Sequence, residues 1–287
     1  MAPKIGAHVS TAGGLHTAIE RIQSIGGECL QIFGASPRQW AAKLPDEEKI
    51  KKFKDAVKES GVGPIYLHAA YLPNLASPVA ETVEKSIVNL SIHLQIAELI
   101  GANGLIFHIG SGKELPKEKA MAKVVKACKT ILKNVPGKAE LVMENSAGGG
   151  QKLGSSVAEI GVMIKNIDSQ RMKVCWDTAH AFEAGVMEEH TPANIKKLFD
   201  EFDKKIGLEK LVAFHVNDSK TLFNSHHDRH ENIGKGHIGL KGFKNLAKEK
   251  RLNHTAWFLE VPGFDGMGPD KKNINILKEL FFNENNC

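Results

Sequence analysis

The sequence predicts a single closed (β/α)8 barrel extending through all 287 residues, 1–287, as one domain. Three observations carry this. Short apolar runs alternate eight times with longer segments whose apolar residues recur at helical spacing, which is the pattern of parallel βαβ units. No linker, charge block or low-complexity tract interrupts the alternation. Six of the eight apolar runs stop at Asp, Glu or His, and strand carboxyl ends are where such barrels keep their active sites. An open doubly wound sheet is the competing architecture. It lacks support, because no G-x-G-x-x-G follows the first run.

The elements follow in order. Residues 4–9 (KIGAHV) read as a first strand, with a helix over 15–25 closed by Gly26-Gly27. Strand 29–33 leads into the loop Gly34 to Trp40. Asp46 then caps a helix in which Ile50, Phe53 and Val57 share a face, and Gly61 closes it. Strand 64–67 stops at His68, and a long helix over 79–100 follows. Strand 104–107 stops at His108, before a helix over 116–132. Strand 140–143 stops at Glu144, before a helix over 157–167. Strand 173–176 stops at Asp177, before a helix over 194–206. Strand 211–214 stops at His215, and after a polar loop a short helix covers 241–250. Strand 256–259 stops at Glu260, and a last helix runs over 269–282.

Composition bounds the rest. Hydrophobic residues make up 42% and charged residues 25%, ordinary for a water-soluble globular chain. No apolar run is long enough to span a membrane. MAPKIGAHVS enters a strand directly, with no apolar leader, so a cytoplasmic location is expected. Four scattered cysteines (Cys29, Cys128, Cys175, Cys287) form no C-x-x-C pair, which argues against a disulfide framework or a thiolate zinc site. The net charge of +5 is compatible with a polyanionic partner.

Acidic residues number 33 and histidines 13. Roughly one residue in six is therefore of a ligand type, and six hits at eight positions singled out by the fold are far above chance. Three more candidates lie just past strand ends: His180, in Asp177-Thr178-Ala179-His180, and the pair Asp228-x-His230 in a His-rich loop. The set is His68, His108, His180, His215 and His230 with Glu144, Asp177, Asp228 and Glu260. These N and O donors suit Zn²⁺ or Mn²⁺. They are too many for one ion with an open position, and four clustered carboxylates would repel one another without cations. Three divalent ions would leave the site net positive, which suits a phosphodiester.

These motifs carry a resemblance to a known family. IGAHVSTAGGL (5–15), FGASPRQW (33–40), LHAAYLPNLAS (67–77), HIGSG (108–112), ENSAGGG (144–150), CWDTAHAFEAG (175–185), HVNDSK (215–220), DRHENIGKGHIG (228–239) and EVPGFDG (260–266) occur in order along the chain. Together they resemble endonuclease IV, the metal-dependent apurinic/apyrimidinic endonucleases of base-excision repair. The resemblance implies a TIM barrel holding three zinc ions, with Mn²⁺ an alternative at one or more sites. It implies that Glu144 bridges two metals, that His68 and His108 complete the first site, and that Asp177, His215 and Glu260 complete the second. His180, Asp228 and His230 would form the third. The implied reaction is hydrolysis of the phosphodiester 5′ to an abasic site in double-stranded DNA, leaving a 3′-hydroxyl and a 5′-deoxyribose phosphate, with cleaning of blocked 3′ ends as a further activity. Arg38, Tyr71 and Leu72 would enter the duplex at the lesion, where stacking is already lost. A monomer is implied.

Two readings from other classes stand beside this one. A sugar isomerase or epimerase on the same barrel would need about one ion and would have no use for His180, Asp228 and His230. A non-catalytic binder of damaged DNA would not need a complete ligand set. His8, inside the first strand, is expected behind the ligands. Gly148-Gly149-Gly150 reads as a turn, with backbone contact to a phosphate as the alternative. His16, His93, His190, His226, His227, His237 and His254 read as surface or structural.

Overall fold

A closed ring of eight parallel strands organises the computed structural model, which describes residues 2–282; Cys287 lies outside these. The barrel strands are β1 (Lys4–His8), β2 (Cys29–Phe33), β3 (Ile65–His68), β4 (Gly104–His108), β5 (Glu140–Glu144), β6 (Met172–Asp177), β7 (Leu211–His215) and β10 (Ala256–Leu259). Their order round the ring is β1-β10-β7-β6-β5-β4-β3-β2. Each strand lies beside its sequence neighbour, as short right-handed crossovers require. The first and last close through Lys4 opposite Ala256.

The helices follow their sequence signals. In α2 (Glu47–Ser60), Asp46 accepts the Lys49 amide at the N-cap, and Gly61 takes the left-handed conformation, φ 68°, at the end. In α5 (Val157–Ile167), Ser156 accepts the Glu159 amide. In α7 (Pro192–Lys205), Thr191 caps and Pro192 opens the first turn, so this helix starts two residues before the expected Asn194. α1 covers Thr17–Ser24, α3 Ala80–Ile100, α4 Lys117–Asn134 and α9 Lys271–Phe282. The helix expected over 241–250 forms as α8 (Gly239–Ala247).

The sequence reading missed two small elements. One is a six-residue helix, α6 (Thr178–Glu183), starting directly off β6. The other is an antiparallel ribbon of β8 (Asp218–Ser219) and β9 (His230–Glu231). Neither is long enough to show a period.

Side chains alternate across a strand, and the barrel sorts them into two cores. Outward residues such as Leu30, Leu67, Phe107, Met143, Trp176, Phe214 and Trp257 pack under the helices. Inward residues Cys29, Tyr66, Ile106, Val142, Cys175, Ala213, Ala256 and Phe258 fill the barrel. That inner layer is the floor on which the site is built. Cys29, Cys128 and Cys175 are buried free thiols. No helix among the described residues is long and apolar enough to cross a membrane.

One histidine of α3 has a consequence for stability. His93 is fully buried and neither ring nitrogen has a hydrogen-bond partner. Burial pushes its pKa down to about 4. A base with a lowered folded pKa resists protonation only in the fold, so stability is intact above pH 6.5 and is lost as pH falls towards 4. His93→Leu should remove that loss. In urea titrations, the unfolding free energy of the variant relative to the parent should rise by roughly 2 kcal/mol between pH 8 and pH 5. An unchanged difference would mean that the imidazole is solvated in the fold.

Candidate metal centre

Moving two residues along a strand returns a side chain to the same face. Two residues above the apolar floor, each of six strands therefore turns a ligand-type residue into the barrel. His68 follows Tyr66, His108 follows Ile106 and Glu144 follows Val142. Asp177 follows Cys175, His215 follows Ala213 and Glu260 follows Phe258. Glu144, Asp177 and His215 are completely buried and His68 nearly so.

Glu144 is the hub. Its Oε2 lies 3.3 Å from His68 Nε2 and 3.2 Å from His108 Nδ1. Its Oε1 lies 2.9 Å from His215 Nδ1 and 3.3 Å from His180 Nδ1. His215 Nδ1 is also 3.3 Å from Glu260 Oε2 and 3.9 Å from Asp177 Oδ2. Three groups of donor atoms result, each within 4.8 Å: His68, His108 and Glu144; Glu144, Asp177, His215 and Glu260; and Asp177, His180 and His230. Asp177 thus belongs to two groups, a sharing that the sequence reading did not anticipate. Asp228 approaches the third group from the solvent side, 3.3 Å from His180 Nε2 and 3.5 Å from His230 Nε2.

The far side of three of the imidazoles is already engaged. His68 Nδ1 contacts the Ala69 carbonyl at 2.8 Å and His180 Nδ1 the Asn145 carbonyl at 2.9 Å. His215 Nε2 meets Gln31 Oε1 at 2.7 Å. A carbonyl can only accept, so these contacts put the proton on the outer nitrogen and leave the inner one with a free lone pair, able to ligate a cation. His180 Nε2 and His230 Nε2 are buried and have no hydrogen-bond partner, although each points at carboxylates. Such orphaned nitrogens are costly unless something else engages them. The donor set therefore fits divalent cations.

Electrostatics agree. Burial alone would raise the Glu144 carboxyl, but the imidazoles of His108, His215 and His180 outweigh it and hold Glu144 well below the usual carboxylate range. Burial opposes protonation of His215 and His180, yet the Cys175 sulfur with the Glu260 and Glu144 carboxylates pushes His215, and the Asp177, Asp228 and Glu144 carboxylates push His180, well above the ordinary imidazole value. The cluster demands positive charge, which protons or divalent ions can supply.

The loops frame this ring. Two adjoining clefts of about 410 and 350 Å³ open onto it and share Tyr71, His108, His180 and Asp228. Tyr71 is 63% exposed and Leu72 37%. Arg38, also exposed, sits on the neighbouring loop, and the two loops are tied by the Tyr71 amide donating to the Pro37 carbonyl. Gly148, Gly149 and Gly150 all have positive φ (74°, 73° and 52°). A Cβ at Gly148 or Gly149 would meet His226 at 2.9 Å, so the run is a turn that lets this histidine close in. A larger depression of about 570 Å³ lies between α4 and α5, but it holds none of the ligand groups, and the chemistry lies at the barrel mouth.

The comparisons with known proteins bear on this geometry. Residues 19–280 match the family model described as xylose isomerase-like TIM barrel. A probable endonuclease 4 of Halothermothrix orenii is 37% identical over 96% of this chain and 99% of its own length. Another, of Aquifex aeolicus, is 36% identical over 97% and 98%. The crystal structure of endonuclease IV from Thermus thermophilus superposes with a TM-score of 0.85 at 30% identity, over 97% of this chain and 98% of that one. The chain belongs to the endonuclease IV family. A D-tagatose 3-epimerase-like protein, at TM-score 0.71 and 17% identity over 99% of this chain and all of its own, shares the fold.

Among the supporting residues of this endonuclease IV chain, His8 stands behind the ligands as expected, while Gln31 and Asn217 escaped the sequence reading. β1 ends at His8, so a seventh strand stops on a ligand-type residue, and His8 Nδ1 lies 3.2 Å from Glu260 Oε1. Gln31 bridges His215 and Glu260, donating to Glu260 Oε1 at 2.6 Å. Asn217 donates to Asp177 Oδ2 at 2.8 Å and accepts the Glu260 amide at 2.8 Å. Register would have found Gln31: like His8, paired with it, it stands two residues beyond an inward-facing residue (Cys29, as Gly6 for His8), in the same ring as the ligands. Asp218 in the same loop accepts amides from Ser219, Gly234, Gly236, Ile238 and Gly239, tying a knot away from the ligand groups.

Proposed function

We propose that this protein is a DNA-repair endonuclease that hydrolyses the phosphodiester 5′ to an abasic site in duplex DNA, using three divalent ions, with zinc the fitting metal and Mn²⁺ an alternative. The observation that carries the reading is the buried carboxylate Glu144, shared by the first two donor groups, with Asp177 shared in turn between the second and a third. A one-ion sugar isomerase has no need for the third. The names of the full-length relatives point the same way.

In this reading His68, His108 and Glu144 hold the first ion; Glu144, Asp177, His215 and Glu260 the second; and His180, His230 and Asp228 the third. Ions bound there supply Lewis acidity, lowering the pKa of water and neutralising phosphoryl charge. The chain's own residues do the positioning. Glu144 spaces the first two groups, while Gln31 and the Ala69 and Asn145 carbonyls fix which imidazole nitrogen faces inward. Exposed Tyr71 and Leu72, with Arg38 on the tethered loop, enter the duplex at the missing base. The ends produced are a 3′-hydroxyl and a 5′-deoxyribose phosphate, and trimming of blocked 3′ ends uses the same groups.

The experiment is incision of a duplex carrying one abasic site, by protein as isolated, after chelation and after zinc is restored. Cleavage 5′ to the lesion that tracks the metal supports the reading; no cleavage with three ions bound moves it to another phosphodiester. Tyr71→Ala should lower kcat/KM on abasic duplex by roughly 10- to 100-fold, the scale of one stacking contact, while hydrolysis of bis(4-nitrophenyl) phosphate stays at the parent rate. Equal losses on both substrates would place Tyr71 in the chemistry instead.

A further inference from the structure

Asp177, His180 and Glu183 recur every third residue along the start and body of α6, so they occupy neighbouring turns. The first two offer ligand atoms to the third donor group. Glu183 is fully buried, and among the described residues no cationic side chain pairs with it. A buried carboxylate without a counter-charge is costly and must be held by donors. Its Oε1 accepts from Ser219 Oγ at 2.8 Å and from the Arg229 amide at 3.2 Å, with Thr221 Oγ1 also 3.2 Å away. Its backbone carbonyl accepts the His226 amide at 3.0 Å. Arg229 stands between Asp228 and His230, the loop residues that reach the third group. Ser219 lies opposite His230 in the β8–β9 ribbon.

We propose that Glu183 is a positioning residue that clamps the 219–230 loop, so that one short helix supplies two donors of the third group and sets the place of the others. This rests on the three-group reading above. The clamp makes no contact with substrate and acts through the Arg229 amide and Ser219. Its Oε2 has no hydrogen-bond partner among the described residues, so Glu183→Gln, which keeps the accepting oxygen, should rescue what Glu183→Ala loses.

The test has two arms. In metal-free protein, hydrogen exchange over 219–231 should be at least about tenfold faster in Glu183→Ala than in the parent, with Glu183→Gln close to the parent and β5 unchanged. Unchanged exchange in the loop, or acceleration spread evenly over the barrel, overturns the clamp. In the second arm, zinc titration of Glu183→Ala should show one ion of the set losing affinity by roughly 10- to 100-fold while the others hold, the scale of a lost supporting contact. Parent-like affinity for every ion also overturns it. If the parent protein holds one ion or leaves abasic duplex intact, the substrate reading falls, and the exchange arm still decides the clamp.

Discussion

Glu144→Ala is expected to abolish incision of abasic duplex, with a loss on the order of 10⁴-fold or more, because one carboxylate serves two ion sites at once. Both of its oxygens are committed: Oε2 faces His68 and His108, and Oε1 faces His215 and His180. No neighbour can replace it. Asp177 and Glu260 reach His215 but are absent from the first donor group. The variant should also retain fewer ions per chain after dialysis, measured by elemental analysis. Glu144→Gln keeps the volume and loses the charge, and it should fail almost as badly. Incision at the parent rate by either variant would falsify the shared-carboxylate arrangement.

Removing the metals should cost stability as well as activity. A ligand that binds only the folded chain stabilises it by about 4 kcal/mol at a thousand times its Kd. For a chain of this size each kcal/mol moves the melting temperature by roughly 2–4 °C. Chelation should therefore lower Tm by on the order of 10 °C or more and erase incision, and zinc should restore both. Scanning calorimetry of the same samples used for incision makes the comparison direct. A Tm indifferent to chelator would mean that the imidazole–carboxylate pairs of the metal-free cluster carry the site's stability unaided, and would count against tightly held ions.

The barrel and its ligand ring were legible because short continuous apolar runs, and the helical spacing of the segments between them, are local signals. His68, His108, Glu144, Asp177 and His215 each close an apolar run, and Glu260 directly follows one. The loop donors were harder. His180, Asp228 and His230 stand in no periodic element, and only their residue types just past strand ends and the motif resemblance singled them out. Asp177's membership of two groups depends on where α6 turns, which no spacing reveals. The supporting residues failed for another reason. Gln31 and Asn217 are uncharged, and their importance lies in partners 184 and 43 residues away. His8 was expected behind the ligands and stands there, 3.2 Å from Glu260, although the expected strand over 4–9 ran one residue too long.

The distances spanned by these contacts bear on how the site comes into being. Gln31 and His8 reach Glu260 across 229 and 252 residues, joining the first two strands to the last. A chain growing from its amino end acquires His68, His108 and Glu144 by mid-synthesis. The second group lacks Glu260 until β10 has been made and has slid between β1 and β7. Under the proposed three-ion reading, the second site therefore cannot be completed until the last strand is in place, whereas the first needs only the amino-terminal half of the chain.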